Sequence, residues 1–359
     1  MPKNQAPVVT PENFDPSAAA LEGTGIYGLP FKAKNSRVIV MPVGFDATTS
    51  YRPGTAGGPM AIFDASKQVE VYDPYYGDPI RAGIFMLPPI RGLARKNAEA
   101  RKLAEPIIAC GGQVGKSKSL LRALAEVNAI SRWVNDVVYR RTRKLLEQGK
   151  LVGLVGGDHS TPYGSIRAHA EKYDDLTVLH FDAHADLRPA YEGFEFSHAS
   201  IMENVSRRIP GVARIVQVGV RDLSEEEHET IRSSGGRITP HFDVDLKRAR
   251  RRGEGFESIA QRIAADLPER VYVSFDIDGL DPTLCPHTGT PVPGGLSFDE
   301  AVAVVEVVAL SGRTIVGFDL NEVAPGPEGD EWDGNVGARM LYKLIGWMLV
   351  SQGLSRSLR

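Results

Sequence analysis

The sequence is poor in the features that mark secreted, membrane-spanning and nucleic-acid-binding proteins. Its 359 residues include two cysteines, Cys110 and Cys285, which is too few for a disulfide framework, so we expect a reducing, cytoplasmic setting. No apolar run is long enough to span a bilayer, and the first residues lack the apolar segment of a secretion signal, so we expect no membrane partner. The formal net charge of -3 argues against a nucleic-acid partner, despite basic clusters at Arg140 and Arg248.

The sequence does contain a regular alternation of apolar segments with helical patterns. Hydrophobic residues make up 42% and charged residues 24%, which are ordinary values for a globular protein. Apolar segments predict strands at 37–43, 84–87, 151–155, 176–181, 214–220, 237–242, 271–275 and 314–318. Periodicity and start signals predict helices at 59–69, 117–148, 162–173, 197–207, 224–234, 255–266, 297–310 and 335–351.

This alternation predicts the fold class. Apolar strands separated by helices form a mostly parallel, doubly wound sheet, and helices cover both of its faces in a three-layer α/β/α sandwich. Residues 1–35 are polar and proline-rich without clear periodicity, so we expect an N-terminal arm there. No repeat or linker divides the rest, and we expect residues 36–359 to form one domain.

One predicted strand runs directly into acidic and histidine residues. Asp182, His184 and Asp186 follow the strand at 176–181 and alternate with alanines. In an extended chain this alternation points the three side chains the same way. Buried charges are costly unless they are paired or bind a metal ion. The stretch therefore predicts a metal site, and the alternative interpretation is a solvated acidic turn.

Two other predicted strand ends carry similar residues. His159 follows the strand at 151–155, and Asp276 and Asp278 follow the strand at 271–275. Alone, His159 is more often a core or capping histidine, and an Asp-x-Asp is more often a turn. In open α/β sheets, however, sites form outside the carboxyl ends of the strands. Four carboxylates and two imidazoles suit two divalent ions, and this oxygen-rich set favours Mn²⁺-like or Ni²⁺-like ions over structural zinc.

These three stretches resemble the metal motifs of a known family. Gly-Gly-Asp-His-Ser at 156–160, Asp-Ala-His-Ala-Asp at 182–186 and Ser-Phe-Asp-Ile-Asp-Gly-Leu-Asp-Pro at 274–282 are similar, in this order, to motifs of the ureohydrolases, the arginases and agmatinases. The similarity extends from about residue 36 to the end of the chain. It implies an arginase-like catalytic domain, a trimer or hexamer, and two ions. It implies that one ion is held by His159, Asp182, Asp186 and Asp276, and the other by Asp182, His184, Asp276 and Asp278.

The same resemblance implies catalytic roles. His198 resembles the family's proton-shuttling histidine, and Glu322 resembles the glutamate that pairs with the guanidinium group of the substrate. Asp186 is implied to hydrogen-bond the nucleophile. The implied reaction is attack of a metal-activated water on the guanidinium carbon, which releases urea and an amine or ammonia. A catalytically dead metal-binding scaffold and a one-metal deacetylase of related fold are the alternatives.

The sequence departs from the family pattern in two places. Cys285 and His287 stand where family members usually carry small residues. We interpret His287 as a candidate substrate-binding residue and Cys285 as part of the rim of the pocket. The insertion at 326–333 is acidic, and it is either a solvated loop or a gate that attracts cations.

The substrate is the least determined feature. The segment at 187–193 resembles the agmatinases, but the stretches at 25–31, 65–73 and 331–339 resemble a longer-chain subgroup that includes nickel-associated guanidine hydrolases. We expect these stretches to wrap the mouth of the pocket and leave room for the head group only. Free guanidine is therefore the favoured substrate, with agmatine or another guanidino compound as the alternative.

Overall fold

The computed structural model describes residues 10–21 and 23–358 of the chain. Within these residues, eight strands alternate with ten helices. The strands are β1 (Val38–Val43), β2 (Ile84–Met86), β3 (Leu151–Gly156), β4 (Leu176–Phe181), β5 (Val212–Val218), β6 (Ile238–His241), β7 (Arg270–Asp276) and β8 (Thr314–Asn321). The helices are α1 (Gly58–Ala65), α2 (Leu93–Ile108), α3 (Lys118–Glu147), α4 (Tyr163–Lys172), α5 (Ile201–Arg208), α6 (Glu225–Ser233), α7 (Asp243–Arg251), α8 (Phe256–Ala265), α9 (Phe298–Leu310) and α10 (Trp332–Ser351).

All eight strands pair in parallel in one sheet, in the order β2-β1-β3-β8-β7-β4-β5-β6. Every residue of β1, β3 and β4 is buried, as expected of strands that are covered on both faces. The order places β3, β8, β7 and β4 side by side. Their carboxyl ends therefore meet at one edge, where ligand sites of such sheets form.

Helices cover both faces of the sheet, and the predicted three-layer sandwich is confirmed. Helices α1, α8, α9 and α10 pack against one another on one face, and α2, α3, α4 and α5 do so on the other. The largest hydrophobic cluster lies under the first group and includes Leu341, Ile345 and Val304. None of the described helices combines the length and the apolarity needed to cross a bilayer.

Two helices of the structure were not predicted from the sequence. The buried face of α2 has large apolar residues only near its two ends, Leu93 and Ile107, with the small Ala100 and Ala104 between them. Helix α7 buries a single large apolar residue, Leu246, between charged neighbours. Both helices owe their stability to packing on the rest of the domain, which a local pattern does not report.

The end of the predicted N-terminal arm packs into the domain. Ile26 and Leu29 are fully buried, and the Tyr27 hydroxyl donates a hydrogen bond to the Ala338 carbonyl in α10 at 3.0 Å. Residues 1–9 and Glu22, which also belong to the predicted arm, lie outside the described residues.

Candidate metal centre

The acidic and histidine residues predicted from the three motifs converge at the carboxyl ends of three strands. His159 follows β3, Asp182 follows β4, and Asp276 is the last residue of β7. The Nδ1 atom of His159 lies 3.0 Å from Asp182 Oδ2 and 3.2 Å from Asp276 Oδ2. It also lies 3.4 Å from an oxygen of Asp186. One imidazole nitrogen therefore faces three carboxylates.

A second group of ligand atoms adjoins the first. His184 Nδ1 lies 3.1 Å from Asp278 Oδ2 and 3.3 Å from Asp182 Oδ1. Asp182 thus directs one oxygen toward His159 and the other toward His184, which is the arrangement that a carboxylate shared by two ions requires. The candidate ligand atoms of Asp182, His184 and Asp278 all lie within 4.8 Å of one another.

Turns, rather than extended chain, bring some of these carboxylates together. Strand β4 ends at Phe181, and Asp186 has a left-handed backbone with φ of 55°. Asp278 lies in a 3₁₀ turn over Ile277–Gly279, where Asp276 Oδ1 accepts the Asp278 N–H at 2.8 Å. The predicted convergence is observed, but the strand geometry assumed for it ends at Phe181 in β4 and at Asp276 in β7. Left-handed backbone at a non-glycine residue is strained and concentrates at functional sites.

The hydrogen bonds behind His159 leave its Nδ1 atom free to bind a metal ion. Its Nε2 atom lies 2.9 Å from Ser274 Oγ, and Ser274 donates its hydroxyl hydrogen to Asp319 at 2.9 Å. Ser274 must therefore accept a hydrogen from Nε2, so the Nδ1 lone pair points at the carboxylates. Such outer hydrogen bonds fix the tautomer of metal-binding histidines.

The charges of the cluster require positive partners. Burial and the neighbouring carboxylates raise the pKa of Asp276 and Asp186 well above the usual range. Burial alone would raise the pKa of Asp182, but the hydrogen bonds and charges of its histidine neighbours lower it well below that range. Buried, mutually repelling carboxylates around imidazole lone pairs fit divalent cations, which supply the missing positive charge.

His180 belongs to the cluster and was missed in the sequence. Its Nε2 atom lies 2.9 Å from Asp182 Oδ2. On its other side, the Gln217 amide N–H₂ donates to the Ala185 carbonyl at 2.8 Å and to His180 Nδ1 at 3.0 Å. Nδ1 is therefore an acceptor, and Nε2–H donates to Asp182. Position 180 shares the two-residue alternation of Asp182 and His184, which is the pattern that could have identified it.

Glu322 directly follows β8 and lies beside the cluster. Its Oε1 atom accepts the backbone N–H of His159 at 2.9 Å, and its Oε2 atom is buried without a hydrogen-bond partner among the described residues. Burial and the negative charge of Asp276 raise the pKa of Glu322 well above its usual range. Like Asp186, Glu322 has a left-handed backbone, with φ of 64°. A cation beside Oε2 would satisfy this carboxylate.

A cavity of about 280 Å³ opens above Asp186, His184 and His198. The His198 ring packs edge-on against Tyr191, and its Nδ1 atom is buried without a partner among the described residues. Burial, together with the neighbouring His184, lowers the pKa of His198 to about 4. His198 is therefore neutral at pH 7.

Several residues predicted to shape the substrate pocket lie away from this cavity. None of the stretches at 25–31, 65–73 and 331–339 contributes a residue to its lining, so the expected wrapping of the mouth is not found in the described part of the single chain. His287 does not line the cavity either, and its Nδ1 atom is bound to Asp333 at 2.8 Å. Cys285 is buried and not part of an exposed rim.

The fold and this cluster define a class of protein. A parallel three-layer sandwich with histidines and aspartates gathered at the ends of its central strands is the architecture of the ureohydrolases. Residues 36–346 match the model of the arginase family, and the chain belongs to this family of metal-dependent hydrolases, which hold a binuclear centre of divalent ions.

Relatives of known name agree with this assignment. The chain is 32% identical over 315 residues to an N(1)-aminopropylagmatine ureohydrolase of Thermus thermophilus, covering 87% of this chain and 90% of that protein. It is 30% identical to the agmatinase of Bacillus subtilis, covering 86% and 90% of the two chains. The agmatine ureohydrolase structure of Thermoplasma volcanium shares the fold, with a TM-score of 0.70 at 24% identity, covering 92% of this chain and 96% of that one.

Proposed function

We propose that this ureohydrolase hydrolyses a guanidinium compound to urea and an amine or ammonia, and that free guanidine is its preferred substrate. The observation that carries the proposal is the buried Oε2 atom of Glu322, which no other described residue hydrogen-bonds. A planar guanidinium ion offers paired N–H donors to a carboxylate, and such charge-assisted hydrogen bonds are strong.

Two divalent cations, Ni²⁺ or Mn²⁺, complete the proposed site. When bound, they supply an acidified water and neutralise negative charge as it develops. Oxygen and imidazole ligands suit both ions. We assign the first ion to His159, Asp182, Asp186 and Asp276, and the second to Asp182, His184, Asp276 and Asp278.

Three side chains have the remaining roles in the proposed reaction. Glu322 binds and orients the guanidinium group, which holds its carbon in position for attack. Asp186 accepts a hydrogen bond from the attacking water. His198, neutral at pH 7, accepts a proton and passes it to the leaving nitrogen, so that this nitrogen departs as a neutral amine or ammonia.

The loop that bounds the space beside Glu322 supports free guanidine, because a Cβ atom placed on Gly289 would lie 3.5 Å from Glu322 Oε2. The loops at 50–54 and 286–290 are joined in front of this carboxylate by a hydrogen bond from Arg52 Nη2 to the Pro286 carbonyl at 2.9 Å. Glu322 does not line the open cavity, whereas Asp186 and His198 do, so the head group would bind between Glu322 and this cavity.

Agmatine is the second candidate, and one residue favours it. Asp222 lines the open cavity, and its side chain makes no hydrogen bond or ion pair with the described residues. A free carboxylate there suits the distal ammonium of agmatine. The names of the relatives from Thermus thermophilus and Bacillus subtilis point the same way.

An assay of urea release distinguishes guanidine from agmatine as the preferred substrate. We expect the kcat/KM for guanidine to exceed those for agmatine, arginine and guanidinobutyrate, with enzyme loaded separately with Ni²⁺ and Mn²⁺. Asp222→Asn should leave guanidine turnover unchanged and lower only the turnover of agmatine. A tenfold preference for agmatine under both loadings would refute guanidine as the preferred substrate and keep the reaction class.

Three organisational features complete the proposal. We propose a trimer or hexamer, a cytoplasmic location, and an N-terminal arm of residues 1–35 joined to a catalytic domain of residues 36–359. His287 stays a candidate for substrate recognition, and its role is developed below. Sedimentation at several protein concentrations tests the assembly.

A further inference from the structure

The two departures from the family pattern contact each other. Asp333, the last residue of the acidic insertion at 326–333, is fully buried. Its Oδ1 atom accepts the backbone N–H of His287 at 3.0 Å, and its Oδ2 atom lies 2.8 Å from His287 Nδ1. Because an ionised carboxylate only accepts hydrogen bonds, Nδ1 must carry the proton. The insertion is therefore fastened to the loop that follows the third metal motif.

A neighbouring residue strengthens this attachment. Trp332 Nε1 donates to the Thr283 carbonyl at 3.0 Å, four residues before His287. Trp332 and Asp333 begin α10, where the helix dipole favours the Asp333 carboxylate. The start of one rigid helix thus holds the 283–290 loop at two points.

The loop held in this way forms a wall beside Glu322. Thr288 Oγ1 donates to the Glu322 carbonyl at 2.8 Å. A Cβ atom placed on Gly289 would lie 3.5 Å from Glu322 Oε2, so the backbone of the loop bounds the space in which a guanidinium nitrogen would bind. A small outward shift of the loop would widen that space.

We propose that the His287–Asp333 pair determines specificity by holding the 283–290 loop against Glu322, so that the guanidinium nitrogens facing this carboxylate can carry only hydrogen. The inference rests on the proposed role of Glu322. An alkyl group on either nitrogen would collide with the loop and would also remove an N–H donor from the carboxylate. His287 and Asp333 act through the loop and are positioning residues.

The test compares the binding of unsubstituted and alkylated guanidines. Binding of guanidine is measured as its KM where guanidine is the fastest substrate, and as an inhibition constant where another compound is. Binding of 1,3-dimethylguanidine, in which every pair of nitrogens includes a methylated one, is measured as an inhibition constant against the fastest substrate. The two proposals can therefore fail separately. The comparison of substrates tests whether free guanidine is preferred, and the comparison of guanidine with its alkylated form tests the loop whichever substrate is preferred.

The wild type should bind guanidine at least tenfold more tightly than 1,3-dimethylguanidine. His287→Ala and Asp333→Asn should each reduce this preference at least fivefold, without changing the metal content. His287→Asn retains a donor near Asp333 and should restore most of the preference. The matched control is His241→Ala, which removes a His–Asp pair of similar geometry at 2.9 Å whose members do not line the cavity.

His287 is half-buried, and the binding preference of the His287→Ala variant decides whether the proposal holds. A preference that stays within twofold of the wild type in a folded, metal-replete His287→Ala enzyme overturns the proposal. A wild type that binds both compounds equally overturns it as well. If Asp333→Asn does not fold, His287→Ala and His287→Asn still decide the question.

Discussion

Glu322 Oε1 accepts the backbone N–H of His159 at 2.9 Å. This bond joins the carboxylate proposed to bind the guanidinium group to the first histidine of the metal cluster, across the neighbouring strands β3 and β8. Because both residues are buried, the position of the substrate is tied to the position of the ions. Among the residues that the structure describes, Oε2 of Glu322 has no hydrogen-bond partner.

Loss of a shared carboxylate should abolish activity. Asp182→Asn and Asp276→Asn each remove a negative charge that two ions would share, so we expect urea production to be lost and metal affinity to fall at both positions. Elemental analysis after gel filtration, together with urea release, measures these effects. Asp299→Asn, an exposed change at the start of α9, is the control. Full activity of either variant after chelation and reloading would contradict a two-ion centre built on these residues.

Loss of His198 should slow turnover without removing the ions. General acid–base groups contribute about 10²–10⁴-fold to rate, and we expect His198→Ala to lower kcat by roughly that factor. Both ions should stay bound because His198 is not among the proposed ligands. Loss of an ion from this variant would instead identify His198 as a ligand.

A methyl group on Gly289 should block the space beside Glu322. The added Cβ atom would lie 3.5 Å from Glu322 Oε2, and the nearest other atom would be the Tyr51 carbonyl oxygen at 3.6 Å, so the fold tolerates the change. We expect Gly289→Ala to raise the KM of the best substrate at least tenfold at unchanged metal content. Gly255→Ala, where the same group meets open space, is the control. An unchanged KM would mean that the guanidinium group binds elsewhere.

His180 should orient Asp182 without binding an ion itself. Its Nε2–H donates to Asp182, and removing such outer hydrogen bonds typically weakens metal binding about 10–100-fold. We expect His180→Ala to keep two ions per chain at saturating metal, with a dissociation constant raised by about that factor. His180→Gln, whose amide can replace the donor, should recover part of the affinity. A stoichiometry of one ion would show that His180 is a ligand.

Buried His169 should make the free energy of unfolding depend on pH. Burial lowers its pKa to about 4, from 6.5 in the unfolded chain. Between these values the unfolded chain binds a proton that the folded chain excludes. The stabilisation is therefore complete above pH 6.5 and is lost as the pH falls toward 4.

The His169→Gln variant separates the contribution of His169 from those of the other titrating groups. From pH 6.5 to pH 5, the wild type should lose about 2 kcal/mol more unfolding free energy than His169→Gln. Urea unfolding at both pH values measures the difference. Parallel losses in the two proteins would show that His169 does not titrate in this range.

The alternation of strands and helices was predictable because its cause is local. Strands buried on both faces read as continuous apolar runs, and all eight were located within a few residues of their observed bounds. Helices α2 and α7 were not predicted, because α2 buries alanines between its two large apolar residues and α7 buries a single leucine. Their stability depends on the sheet and the helices against which they pack, and no local pattern carries that information.

For the site, the sequence by itself determined which residue types stand at the carboxyl ends of β3, β4 and β7, and with them the chemistry that the chain can support. The tertiary structure alone decided three other things. It decided the left-handed backbone of Asp186, the hydrogen bonds of Gln217 that fix the proton on His180, and the contact of Asp333 with His287. These features join residues far apart in the chain or depend on a backbone bend, so they exist only once the sheet has brought its strand ends together.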